Sequence, residues 1–236
     1  MQLCKIADLF VSVPTAGGMA PRLRDYMIEE EGKADIVIRE EQYRPNAWPG
    51  LKEELKAYME SGACFYGNLL RFQGLMLHAS AVELDGKAYL FSGPCGMGKS
   101  THTRLWQQVF GEKAKVFNDD KPALRHVDGR WYAYGTPWCG KDGININLKV
   151  PLAGICFLKQ APENRIRRLS NAEALPLLVS QTMRKFKDSS NTILLLEHLD
   201  HLIREIPIFE LENRPEPAAA QLSYETMRRA AEEAGL

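Results

Sequence analysis

Residues 93–100 read Gly93-Pro94-Cys95-Gly96-Met97-Gly98-Lys99-Ser100 and match the phosphate-loop pattern G-x-x-x-x-G-K-[ST]. The pattern constrains the fold because it works only with a strand before it and a helix after it. Its glycines let successive backbone N–H groups turn inward around an anion. Lys99 would then neutralise the β- and γ-phosphates of a nucleotide, and the Ser100 hydroxyl would help hold Mg²⁺. Both flanks fit. Residues 87–91 are apolar and β-favouring, and residues 101–110 put Leu105, Trp106, Val109 and Phe110 at helical spacing before Gly111. A helix starting at the loop adds its dipole to the loop amides, so residues 93–101, Thr101 included, form the expected nucleotide-contact set.

Two Asp-Gly pairs, Asp85-Gly86 and Asp128-Gly129, each stand between β-favouring runs and predict hairpins. The strand entering the loop is therefore the second arm of a hairpin, 80–84 then 87–91, and not a strand reached by a helical crossover. Residues 73–160 are strand-dominated. Before them come an apolar run at 6–13, a helix over 21–30, a strand at 35–38 and a long helix over 51–70. After them come a strand at 165–169, helices over 172–183 and 192–203, a return strand at 206–211, and a final charged helix past Pro215 and Pro217. The expected organisation is an N-terminal α/β segment, 1–72, packed on a nucleotide-binding core with C-terminal helices, 73–236.

At 236 residues the chain can bury a sizeable core. Lys+Arg and Asp+Glu balance at 30 each, which argues against a nucleic-acid or membrane-surface partner through bulk charge. No leader-like start or membrane-length apolar run is read. The five cysteines (Cys4, Cys64, Cys95, Cys139, Cys156) lack a C-x-x-C pair and read as reduced thiols of a cytoplasmic protein.

The second constellation is Val116-Phe117-Asn118-Asp119-Asp120-Lys121-Pro122, an apolar run ending in two acids. At a strand end near the loop, one carboxylate can bind Mg²⁺ while another accepts the proton of an attacking hydroxyl. The same residues are also ordinary turn material. His78 lies in an apolar run just before the hairpin, where a hydrogen-bonded core histidine competes with a site role. Residues 134–143 form a glycine-bounded loop in which Trp138 either walls an acceptor pocket or folds back on the core, and Lys141 offers charge to a phosphoryl group. Arg184, Lys185 and Lys187 add a basic cluster, read first as a solvated helix end, and Cys95 is a thiol inside the loop.

In order and interval, Leu77-His78-Ala79, the loop at 93–100 and Asn118-Asp119-Asp120 resemble the kinase core of the HPr serine kinase/phosphorylase family, related to phosphoenolpyruvate carboxykinase. The resemblance covers about residues 75–160. It implies an α/β, β-rich, sandwich-like core with antiparallel and mixed sheets and flanking helices. It also implies Asp119 as the catalytic base, Asp120 with Ser100 at the metal, His78 at the γ-phosphate, ATP as the nucleotide, and a homo-oligomer. Thr101 stands where bifunctional members carry an acid, which weighs against phosphorylase activity and the usual HPr substrate. The expected function is an ATP- and Mg²⁺-dependent kinase acting on a hydroxyl of a small molecule, peptide or protein. Two other readings stay open: a shikimate- or gluconate-type kinase with a parallel sheet, and a nucleotide-binding regulator without turnover.

Overall fold

The computed structural model describes residues 1–15, 18–29, 32–44, 47–183 and 189–236. In chain order the elements are β1 (Gln2–Ile6), β2 (Leu9–Val13), α1 (Met19–Leu23), β3 (Ile36–Val37), α2 (Glu53–Leu69) and β4 (Gly74–Met76). Next come β5 (Ala79–Leu84), β6 (Lys87–Ser92), α3 (Lys99–Phe110), β7 (Lys115–Asp120), β8 (Ala123–Val127) and β9 (Arg130–Tyr134). The last are β10 (Lys149–Gln160), β11 (Arg165–Arg168), α4 (Asn171–Gln181), α5 (Ser190–Glu205), β12 (Ile208–Asn213) and α6 (Pro217–Glu233). Among the described residues none of the helices is long and apolar enough to cross a membrane.

The main sheet is mixed and curled, with strand order β4-β8-β9-β10-β6-β5-β7, and β12 joins β10 to β11. The 12-residue β10 makes the bend. Its first residues pair antiparallel with β9, while its later residues run parallel to both β6 and β12, with a register shift between Leu152 and Gly154. Both Asp-Gly hairpins form. Asp85, Gly86, Asp128 and Gly129 all have φ between 50° and 76°, the left-handed pair that a two-residue hairpin turn requires. The loop strand β6 is thus a hairpin arm, which does not fit the parallel-sheet kinase alternative.

Alternation along the strands sorts the core onto two faces. Ala88, Leu90, Leu152, Ile155 and Ile208 point to the side covered by Leu178 of α4 and Leu195, Leu199 and Leu202 of α5. Tyr89, Phe91, Cys156, Phe209 and Leu211 point to the side covered by Trp106 of α3 and Ala220, Met227 and Ala231 of α6. Burial on both faces explains why β6 reads as an uninterrupted apolar run. A third cluster packs Ile6, Val11, Leu23, Phe65 and Leu69 from the N-terminal part against Ala123, Tyr134 and Trp138 of the core.

Two expectations change near the N-terminus. The apolar run at 6–13 spans the end of β1, a turn and β2, because Ala7 and Asp8 both take positive φ and turn the chain back to pair with residues 2–6. The expected helix over 21–30 is shorter: α1 passes into a single 3₁₀ turn at Arg24–Tyr26, and Met27 is already extended. Sheet pairing wins over helix continuation there, since Met27 bridges Cys4 and Tyr26 is buried in the core.

The phosphate-loop helix is tied to α6 by a buried polar cluster. Ser223 Oγ accepts from Trp106 Nε1 at 3.0 Å, lies 3.0 Å from His102 Nε2, and donates to Ala220 O. Burial lowers the His102 imidazole to about 3, so the folded state keeps it neutral. The unfolded chain protonates histidine near about 6.5 and so binds more protons between these two values. Stability therefore falls as pH drops through this window, by up to roughly 1.4 kcal/mol per unit from this residue. Denaturant unfolding at pH 7 and pH 5 should show the loss, and His102→Gln should flatten the pH slope.

Candidate functional site

Three elements converge on the loop: β6 enters it, α3 leaves it, and β7 runs beside it through β5. Gly98 caps α3 with φ 99°, a left-handed conformation natural to glycine. Lys99 is 8% exposed, and its Nζ donates to the carbonyls of Gly93 at 2.9 Å and Pro94 at 3.2 Å. Burial lowers its ammonium, while the charges of Asp120, Cys95 and Asp119 oppose that. Cys95 is exposed on the loop, and all five cysteines are free thiols. Thr101 is exposed in the first turn of α3.

The two acids part company. Asp119 pairs across the sheet with Ser80, which faces Thr103 of α3 at 2.9 Å, whereas Asp120 pairs with Ala79 on the α4–α5 side. Adjacent strand residues point to opposite faces, so only one carboxylate can meet the loop serine. It is Asp119. Ser100 Oγ lies 3.0 Å from both of its oxygens, and Asp119 is 6% exposed. The family resemblance implies Asp120 with Ser100 at the metal, and the carboxylate in contact with Ser100 here is that of Asp119. A buried carboxylate beside a hydroxyl is an oxygen-only donor set, which fits Mg²⁺.

Asp120 has φ 108°, strained for a non-glycine residue. Its Oδ1 lies 3.0 Å from His78 Nε2, and its Oδ2 pairs with Lys121 Nζ. Burial alone would raise this carboxyl, but the His78 hydrogen bond and the Lys121 charge hold it well below the usual carboxylate range. His78 is itself steered: Nδ1 meets Gln181 Oε1 at 3.0 Å, and its backbone N–H donates to the Gln181 carbonyl at 2.7 Å.

Residues 144–146 run along β7, with Asp119 N–H donating to Ile144 O at 3.2 Å and Ile146 N–H to Phe117 O at 2.8 Å. That brings Gly140 behind the acids, its N–H donating to Asp119 O. A Cβ at Gly140 would stand 3.1 Å from Asp119 O and 3.3 Å from Asp119 Oδ2. Gly140→Ala should therefore displace Asp119 and weaken Mg²⁺-dependent nucleotide binding, which calorimetry with and without the metal would detect. Trp138 is fully buried, stacks on Phe65 at 4.8 Å and donates to Ser61 Oγ at 3.1 Å, while also lining a 700 Å³ cavity, so it packs on the core and walls a pocket at once. Lys141 is exposed next to Asp142, which pairs with Arg104 of α3. Arg184, Lys185 and Lys187 lie outside the described residues.

Two cavities flank this centre. One, of 370 Å³, touches Gly96, Met97, Thr101, Gln160 and Asn213 beside the loop. The other, of 700 Å³, is lined by Tyr58, Tyr66, Met76, Lys121, Thr182 and Met183, with Arg44 and Trp48 at one wall. Lys121 belongs both to this cavity and to the Asp120 pair. The walls are braced by partly buried hydrogen bonds: Tyr66 Oη donates to Lys121 O at 2.5 Å, and Glu60, 3% exposed, accepts from Trp48 Nε1 and Arg44 Nη2 at 2.7 Å. None of Gln181, Tyr66 or Glu60 had a sequence signal, because each reaches the site from a distant segment, whereas Gly140 lies in the glycine-bounded loop read from the sequence.

No curated protein matches the sequence. Among solved structures, the Hpr(Ser) kinase/phosphatase from Coxiella burnetii is similar at 10% identity, covering 67% of this chain and 95% of that one, with a TM-score of 0.36. Such a likeness carries no functional argument. At the level of sequence, the family model described as SynChlorMet cassette protein ScmC matches residues 52–214, from the start of α2 to the end of β12 and so through the loop, both acids and most of the large cavity's wall; the chain belongs to the ScmC family.

Proposed function

We propose that this chain is a kinase that moves the γ-phosphate of ATP to a hydroxyl acceptor seated in the 700 Å³ cavity. The observation that carries the reading is the contact of the Ser100 hydroxyl with both Asp119 oxygens at 3.0 Å, at the helix N-terminus that follows a phosphate loop. The loop amides and Lys99 bind the phosphates, and Ser100 and Asp119 hold Mg²⁺. Bound there, the ion neutralises charge on the phosphate oxygens. Asp120 orients the acceptor hydroxyl and takes its proton as the oxygen bonds to the γ-phosphorus. The bond to the β-phosphate oxygen breaks and ADP leaves with the electron pair. His78 and Lys121 keep Asp120 ionised and offset charge on the transferring group. A carboxylate held at low pKa is a weak base, and it serves chiefly by positioning the hydroxyl, on which phosphoryl transfer mainly depends.

The roles of the two acids are thus exchanged relative to those implied by the family resemblance. The cavity lies within the usual range for small-ligand sites, roughly 300–1,000 Å³. Its aromatic and thioether lining favours an acceptor with an apolar body. The nucleotide half of the reading is tested by calorimetry with ATP. Mg²⁺-dependent binding that is lost in Lys99→Ala supports it, and equal binding by that variant contradicts it.

A further inference from the structure

Three side chains outside the phosphate-loop site come together where β8 meets the last turn of α5. His126 Nε2 lies 3.5 Å from Glu205 Oε2, and His201 Nε2 lies 2.8 Å from Glu205 Oε1. The two imidazole rings are 4.4 Å apart between centroids, and the potential ligand atoms all fall within 4.8 Å of one another. His201 and Glu205 are four apart on one helix, so they share a face. An ordinary helical ion pair accounts for those two. It does not account for His126, whose buried Nε2 makes no hydrogen bond and only a long 3.5 Å approach to Glu205 Oε2. An unpaired buried imidazole nitrogen is costly unless something binds it.

The surroundings favour a cation. The C-terminal turn of α5 carries the negative end of the helix dipole. The His126 ring is held beforehand: its backbone N–H donates to Gln73 O at 2.9 Å, and Trp131 packs against it at 5.5 Å. Two imidazole nitrogens and one carboxylate suit zinc and its d-block neighbours, whereas Mg²⁺ and Ca²⁺ prefer all-oxygen sets. The absence of paired cysteines does not bear on this site, since no ligand is a thiol.

We infer that His126, His201 and Glu205 form a binding site for a divalent d-block cation of the zinc class, clamping the end of α5 to β8. With bonds of about 2.0–2.2 Å, three protein ligands leave a fourth position for water. Metal-stripped full-length protein, kept in excess Mg²⁺ to saturate the loop site, would be dialysed against Zn²⁺ and its bound zinc measured. Co²⁺ would serve as the optical probe. One equivalent of zinc, a visible Co²⁺ spectrum and a Tm rise of roughly 5 °C or more are expected for the native chain. His201→Ala and Glu205→Gln, both at partly exposed positions, should lose all three while still binding nucleotide. Zinc binding that is absent in the native chain, or equal in the native chain and both variants, overturns the assignment.

Discussion

Asp120→Asn is expected to lower the rate of phosphoryl transfer by roughly 10²–10⁴-fold, the usual worth of a positioned general base. Nucleotide should still bind, because the Ser100 hydroxyl meets Asp119 and not Asp120, although Asp120's charge reaches Lys99 and its removal can raise affinity modestly. Asparagine keeps the shape but loses the charge that pairs with Lys121 and His78. Lys121 and His78 are partly exposed, so both can turn to solvent and the variant should still fold. The loss should be the same at every pH from 5 to 8, because the native carboxyl is held ionised across that range. Steady-state rates with saturating ATP, beside calorimetric binding of the same nucleotide, separate the two effects. Normal turnover in this variant would remove Asp120 from the base role.

Asp119→Asn should fail in a different way. Its carboxylate and the Ser100 hydroxyl are the oxygen pair suited to Mg²⁺, so the variant should need much more Mg²⁺ and should bind Mg²⁺·ATP scarcely better than ATP alone. Transfer should drop by about 10²–10³-fold at ordinary Mg²⁺, in line with removal of one preorganised electrostatic group. A Mg²⁺ titration of activity resolves the point. If Asp120→Asn shifts the Mg²⁺ requirement and Asp119→Asn does not, the roles revert to those implied by the family resemblance.

What the sequence disclosed divides along physical lines. Local rules were enough for the hairpins, because Asp85-Gly86 and Asp128-Gly129 supply the left-handed pair their turns need. They were also enough for the loop and its helix, since strand, glycines and Lys-Ser are contiguous. Strand periodicity held one further clue, that the two acids of β7 pair with different residues of β5, and it favours Asp119 as the partner of Ser100. The rest depends on long-range convergence. Gln181 reaches His78 across 103 residues, and Tyr66 reaches Thr136 across 70. No local pattern encodes such contacts, so the large cavity could not be read in advance.

The cavity's part in the reaction can be tested without touching the phosphate site. Ala63 lines its wall on α2 and is only half-buried. Ala63→Phe should raise the KM for the acceptor by about tenfold or more and leave ATP binding unchanged. An unaltered acceptor KM would place the acceptor elsewhere.

The central claim is met most directly by phosphoryl transfer from γ-labelled ATP with Mg²⁺. Hydroxy amino acids, polyols, sugars, phenolic acceptors and serine- or tyrosine-bearing peptides would be offered, with Lys99→Ala and Asp120→Asn as controls. Label on one acceptor class, lost in both controls, is the result expected of a kinase. Tight Mg²⁺·ATP binding with the γ-phosphate neither transferred nor released, across every acceptor offered, would contradict it and identify a nucleotide-binding regulator.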